Sequence, residues 1–150
     1  MKFIRLWFSD ILGLLKSFAI TVDELKEAMD EGKFFDGSSI EGFARSEESD
    51  MRALPDPATF QLLPWRPKEN AVARMFCDIR NVQGGPFEGD PRQCLKRVLK
   101  KASDLGYTFY VGPEIEFFYF ENSESTKTLD RGGYFDLTSL DAGSDLRRET

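Results

Sequence analysis

The sequence predicts an α+β fold. Three observations carry this. Residues 3–8 alternate apolar and polar and are answered by a second apolar run at 14–20; a capped helical segment follows at once; and further strand-like runs lie between prolines. Hairpin, helix and then more strands describe a small sheet wrapped over one helix.

Each element has a local reason. Ile4, Leu6 and Phe8 fall on one face of the first run, and Asp10 to Gly13 is turn-like, so 3–20 reads as a β-hairpin. Thr21-Val22-Asp23-Glu24 matches a capping box, with Thr21 as N-cap and Glu24 reaching back to it. Val22, Leu25, Ala28 and Met29 then recur at helical spacing, and Gly32 supplies the stop. Phe34-Phe35 runs into a loop, Asp36 to Gly42. Strands are expected near 50–54, 59–63 and 71–79, because Pro55, Pro57, Pro64 and Pro67 cannot donate to a ladder. The Gly- and Pro-rich stretch from Asn81 to Gly89 is the best domain boundary. Asp90-Pro91 opens a helix with an N-cap aspartate and proline at the first helical position. Leu95, Val98, Leu99, Ala102 and Leu105 form its apolar stripe, and Lys96, Arg97, Lys100 and Lys101 its solvated side, closed by Gly106. A strand is expected over 111–120, a polar loop over 121–130, a short strand from Tyr134 to Leu137, and helical turns from Arg147 to Thr150.

At 150 residues, with 41% hydrophobic and 31% charged residues, the chain reads as soluble and globular. A net charge of −6 argues against a general nucleic-acid binder and fits a cytoplasmic enzyme acting on small molecules. No stretch is long enough to span a membrane, and Asp10 and Lys16 interrupt the N-terminal apolar run, which excludes a signal peptide. Cys77 and Cys94 show no metal or disulfide spacing and are expected to be buried, reduced thiols.

The chemistry concentrates in Gly112-Pro113-Glu114-Ile115-Glu116-Phe117-Phe118-Tyr119-Phe120. On a strand, Glu114 and Glu116 point to one face with Cα atoms about 6.5–7 Å apart. Paired acids in a run otherwise fit for burial call for a cation, and Mg²⁺ or Mn²⁺ prefers oxygen ligands. Read without context, the same pair is also a strand edge with two solvated acids. Asp36-Gly37-Ser38-Ser39 reads as an ordinary Asx turn, or as a cradle for a cation or amine in which Asp36 is a base. Glu47-Glu48-Ser49-Asp50 reads as a solvated loop, and Tyr134 as a core aromatic with one polar end. There is no histidine.

In order, the chain contains FDGSSIEGFARSEESDM (35–51), PDPATFQLLPW (55–65), ARMFCDI (73–79), PFEGDPR (86–92), LKRVLKKA (95–102), VGPEIEFFYF (111–120) and DRGGYFDL (130–137). This series closely resembles the N-terminal third of a bacterial or archaeal type I glutamine synthetase. The resemblance runs from KFIRLWFSD (2–10) to the end.

The resemblance implies a β-grasp-like N-terminal domain over 1–85 and the incomplete start of an α+β catalytic domain over 86–150. It implies ATP-dependent formation of glutamine from glutamate and ammonia through γ-glutamyl phosphate, with two or three Mg²⁺ or Mn²⁺ ions per complete site and ATP as a substrate. It places Glu114 and Glu116 as metal ligands, Asp36 as the aspartate that binds and helps deprotonate ammonium, and Ser39 and Tyr134 along the ammonium site. Asp36 would serve the active site of a neighbouring subunit in a homo-oligomer, a dodecamer for the full-length protein. Arg45 matches an arginine associated with glutamine sensing in one subgroup, and Phe43 stands where other members carry tryptophan. The family's remaining metal ligands, including its histidine, lie beyond residue 150. The 150 residues alone are therefore expected to be inactive, with an exposed apolar surface that favours self-association or disorder. Two alternatives remain open: a γ-glutamyl–amine ligase of the same superfamily, and a non-catalytic partner of a full-length synthetase.

Overall fold

The computed structural model describes residues 1–40, 50–137 and 141–150. They form two compact units, Met1–Phe109 and Tyr110–Thr150.

The first unit is built on a six-stranded sheet. Strands β1 (Phe3–Ser9) and β2 (Leu15–Thr21) form the expected antiparallel hairpin, in register from Phe3↔Thr21 to Ser9↔Leu15. Asp10 organises its turn. Only 1% exposed, its Oδ1 accepts from the N–H groups of Leu12 and Leu14, each at 2.9 Å, and Lys16 Nζ stands 3.2 Å from Oδ2. Burial opposes the charge of this carboxylate, but the Leu14 N–H, the Lys16 ammonium and the Leu12 N–H outweigh it and hold the carboxyl below its ordinary range.

The capping box forms as its spacing predicts. Glu24 Oε2 accepts from Thr21 N (2.9 Å) and Thr21 Oγ1 (3.0 Å), and a 3₁₀ turn over Val22–Glu24 runs into helix α1 (Leu25–Glu31). The other carboxylate oxygen of Glu24 accepts from Lys33 Nζ at 2.5 Å, which ties the start of the helix to strand β3 (Lys33–Asp36). That lysine, with the Thr21 donors, pulls the Glu24 pKa down to about 2. Gly32 makes the sharp exit from α1 at φ 79°, and a Cβ there would meet Ala53 O at 3.3 Å.

Strands β4 (Asp50–Pro55), β5 (Gln61–Leu62) and β6 (Val72–Arg80) complete the sheet in the order β2-β1-β6-β4-β3, with β5 on β6. The strand expected over 59–63 shortens to two residues because Asp56 caps a 3₁₀ turn over Pro57–Thr59, accepting from Ala58 N at 3.0 Å. β1 and β6 run parallel; the other pairings are antiparallel. Period-two alternation turns Ile4, Leu6 and Phe8 of β1, Met51 and Ala53 of β4, and Ala73, Met75, Cys77 and Ile79 of β6 into one core. Ala28 of α1 joins them, with Leu25 and Met29 packed against the cluster.

Beyond β6 the chain turns back at Asn81–Gly85 and returns to the strand through Phe87 N to Ile79 O at 3.1 Å. This delivers Asp90, also 1% exposed, to the end of the sheet. Its Oδ2 accepts from Ile79 N (2.8 Å), while its Oδ1 caps helix α2 (Pro91–Asp104) through Arg92 N (2.9 Å). Burial pushes this carboxyl above its ordinary range, although the two N–H donors pull the other way. The helix meets the sheet through charge. Arg92 bridges Asp56 and Asp78 (Nε to Asp78 Oδ1, 2.8 Å), and Lys96 reaches Asp78 Oδ2 at 2.5 Å.

Four expectations are corrected. The apolar stripe of α2 does not face the sheet: Leu95, Val98, Leu99 and Leu105 are all exposed. Cys94 shares that uncovered side and is exposed, unlike Cys77, whose burial pushes its thiol up to about 12. The strand expected over 111–120 does not form; residues 107–119 adopt no regular secondary structure, and Phe120 makes only an isolated bridge to Thr128. A strand exists through its ladder, and among the described residues this segment has none. Likewise 134–137 is a turn rather than a strand, with Asp136 N donating to Gly133 O (3.1 Å) and Phe135 at φ 63°. The second unit ends in helix α3 (Ser144–Glu149), where helical turns were expected.

Asp90→Ala removes an N-cap and strands the buried Ile79 N–H, so it should destabilise the first unit by about 2–3 kcal/mol in urea unfolding followed by circular dichroism. Asp90→Asn, which keeps an acceptor, should cost less. Glu24→Gln should show its effect through pH. The folded-state pKa of Glu24 is depressed from the ordinary 4.5 to about 2. Its contribution is therefore complete above pH 4.5 and lost as pH falls toward about 2. The thermal midpoint of the wild type should exceed that of Glu24→Gln at neutral pH and converge on it near pH 2.

Candidate functional site

The candidate residues divide between the two units. In the first, Asp36 closes β3 and sits exposed at the strand tip. Its Oδ1 accepts from Ser38 N at 2.8 Å, an Asx turn, and Ile40 N returns to Gly37 O at 3.0 Å to complete a tight loop. Gly37 is buried, while Ser38 and Ser39 present their side chains to solvent. The loop thus offers a carboxylate oriented by a backbone donor beside two hydroxyls. Arg45 and Phe43 lie outside the described residues.

Asp50 belongs to this tip as well. It is exposed and opens β4, where a strand was expected, as the register partner of Asp36. Sequence reasoning placed a strand there and still missed the pairing, because nothing local says which residue of one strand faces which of another.

In the second unit, Glu114 and Glu116 are exposed, as is Ile115 between them at 80%. Tyr134 is 92% exposed and stacks edge-on against Phe135, centroids 4.6 Å apart, so it is not the core aromatic expected. An open cleft of about 1000 Å³ brings Glu116 and Tyr134 together along its lining; Glu114 does not line it. Asp130, Asp141 and Arg147 also line this cleft. Asp130 holds the walls through Gly132 N (3.2 Å) and Ala142 N (2.9 Å). Asp141 and Arg147 form a bidentate pair, with Nη1–Oδ1 at 2.7 Å and Nη2–Oδ2 at 2.5 Å, and Arg147 holds the Asp141 carboxyl below its ordinary range. Sequence reading did not single out these three residues, since an aspartate or arginine in a polar loop carries no local mark of its partner.

Carboxylates fit a hard cation in kind, but no group of three or more metal-ligating side chains converges among the described residues. Glu114 and Glu116 are exposed carboxylates of the kind a hard cation takes as ligands. No helix among the described residues is long and apolar enough to cross a membrane.

Comparison with known proteins matches residues 1–82 to the family described as glutamine synthetase, beta-Grasp domain, and residues 88–150 to glutamine synthetase, catalytic domain. Among curated relatives, the glutamine synthetase of Methanosarcina mazei is 50% identical and that of Clostridium saccharobutylicum 52% identical. Each alignment covers 99% of this chain and 34% of the relative. The chain therefore spans about a third of the length of the curated relatives it matches. Among solved structures, one titled as a GmaS/ADP complex superposes with a TM-score of 0.64 at 28% identity, covering 70% of this chain and 24% of that one. Plasmodium falciparum glutamine synthetase also gives a TM-score of 0.64, at 23% identity over 71% of this chain and 20% of that one, a likeness of fold.

Proposed function

The chain belongs to the glutamine synthetase family, and from that premise we propose that it supplies the ammonium-binding wall and part of the metal-binding wall of an ATP-dependent glutamate–ammonia ligase. The observation that carries this reading is the ordered match of both family domains, together with 50% identity across 99% of the chain.

The chemistry asks for what these residues offer. An ammonium ion must lose a proton before its nitrogen can attack an acyl phosphate. Asp36 accepts a hydrogen bond from the ammonium and takes that proton, with its carboxylate kept in orientation by the Ser38 N–H. The hydroxyls of Ser39 and Tyr134 line the same subsite and accept or donate to the bound nitrogen. Glu114 and Glu116 would hold one divalent cation each, and Mg²⁺ or Mn²⁺ there would offset charge on the phosphate oxygens of ATP and γ-glutamyl phosphate. The intact Asp36-Gly37-Ser38-Ser39 sequence favours ammonia over a larger amine. We take Asp36 to act in trans, in a cytoplasmic homo-oligomer, with Arg45 in the same shared wall as a residue of glutamine sensing. Residues 1–85 would form the N-terminal domain and 86–150 the opening of the catalytic domain.

The test joins this chain in frame to the part of the Methanosarcina mazei relative that it does not span. The chimera should make glutamine from glutamate, ammonia and ATP with a divalent cation present, and the 150-residue chain alone should not. Asp36→Asn should lower the kcat/KM for ammonia by about 10²–10⁴-fold. Glu114→Ala and Glu116→Ala should each raise the Mg²⁺ concentration needed for half-maximal activity. An inactive chimera that assembles normally, or an unaffected Asp36→Asn variant, contradicts the reading.

A further inference from the structure

Tyr134 stands on a turn that closes from both sides. Asp136 N donates to Gly133 O at 3.1 Å, and Gly133 N donates in return to Asp136 Oδ2 at 2.8 Å. Tyr134 and Phe135 are the two central residues of that turn. Asp130 ties the ends of the loop that carries it, accepting from Gly132 N at 3.2 Å and from Ala142 N at 2.9 Å.

The turn is locally unfavourable. Phe135 sits at φ 63°, and among the described residues it alone of the non-glycine residues has a positive φ. A bulky side chain in that region crowds its own backbone, so the conformation persists only where its surroundings impose it. No burial offsets this strain. Tyr134 is 92% and Phe135 90% exposed, and their rings meet each other edge-on. What imposes the turn is the Asp136 carboxylate, which reaches back three residues to the Gly133 N–H. It fits closely there: a Cβ on Gly133 would lie 3.2 Å from Asp136 Oδ2. A strained turn that buries nothing, yet is held by a dedicated carboxylate, leads from the backbone outlier to a functional reading.

We propose that Asp136 is a positioning residue for Tyr134. Its carboxylate holds the Gly133 N–H, keeps Phe135 in the left-handed region and so fixes the Tyr134 ring along the cleft that it lines with Glu116. The Tyr134 hydroxyl is then presented to ammonium in one orientation. The inference rests on the reading of Tyr134 given above.

In the chimera, Tyr134→Phe should raise the KM for ammonia about three- to tenfold, the range for one lost hydrogen bond. Asp136→Ala should have the same effect, with the KM values for ATP and glutamate within about twofold of the parent. Asp136→Asn keeps an oxygen that can accept from Gly133 N, so its ammonia KM should stay within about twofold of the parent. Gly133→Ala should reproduce Asp136→Ala, because the added Cβ displaces the carboxylate. Adding Asp136→Ala to Tyr134→Phe should raise the ammonia KM by less than about twofold more, since a residue acting through that hydroxyl has nothing left to position. An unchanged ammonia KM in Asp136→Ala, beside a raised one in Tyr134→Phe, overturns this inference and leaves the function standing. So do two effects that multiply in full, or an Asp136→Asn variant as impaired as Asp136→Ala. An Asp136→Ala chimera that fails to assemble, or whose three KM values rise alike, overturns it too, since Asp136 would then be a support of the fold. An unaffected Tyr134→Phe overturns the assignment of Tyr134 to the ammonium subsite itself.

Discussion

The parallel pairing of β1 with β6 is the constraint on which the first unit depends. A parallel pair cannot be closed by a tight turn, so everything between the two strands must be accommodated in the connection. Here that connection holds β2, α1, β3, β4 and β5. The inward residues of the pair, Ile4, Leu6, Ala73 and Met75, form the middle of the core. The hairpin, the capped helix and the β3–β4 ladder are arranged around them. Asp90 extends the constraint past the sheet: its carboxylate accepts from the last buried residue of β6 and caps the next helix with the same group.

That helix shows how charge can decide an orientation that amphipathicity leaves open. The pattern of α2 offers two plausible contact faces, an apolar stripe and a basic side. Asp56 and Asp78 sit on the sheet side, so Arg92 and Lys96 turn inward and Leu95, Val98 and Leu99 turn outward. Asp78 is the pivot because it accepts from both basic residues. This helix lies within residues 88–150, which match the family model described as glutamine synthetase, catalytic domain.

The candidate site repeats this contrast between local and distant determinants. The loop after Asp36 is self-organised: one aspartate, one turn and one N–H suffice to orient the carboxylate. The face beside it depends on β4, brought in from beyond residues 41–49. Polar contacts such as Asp130 with Gly132 and Ala142, and Asp141 with Arg147, tie the second unit together. Its aromatic run stays exposed because a strand's backbone groups need a neighbour before its side chains can be buried.

By itself the sequence determined the elements whose interactions lie within a few residues. These are the 3–20 hairpin with its Asp10 turn, the Thr21–Glu24 capping box, the Asp90-Pro91 helix start and the Asp36-Gly37-Ser38-Ser39 loop, along with the family, through motifs spread over most of the chain. Tertiary structure alone decided the strand order, the face α2 turns to the sheet, the exposure of Cys94 and Tyr134, and the fate of the 111–120 run. It alone set Asp50 opposite Asp36. The physical reason is common to all of these: caps and turns are satisfied by near neighbours, whereas strand register, docking and burial are set by residues far away in sequence, whose identity a local pattern does not encode.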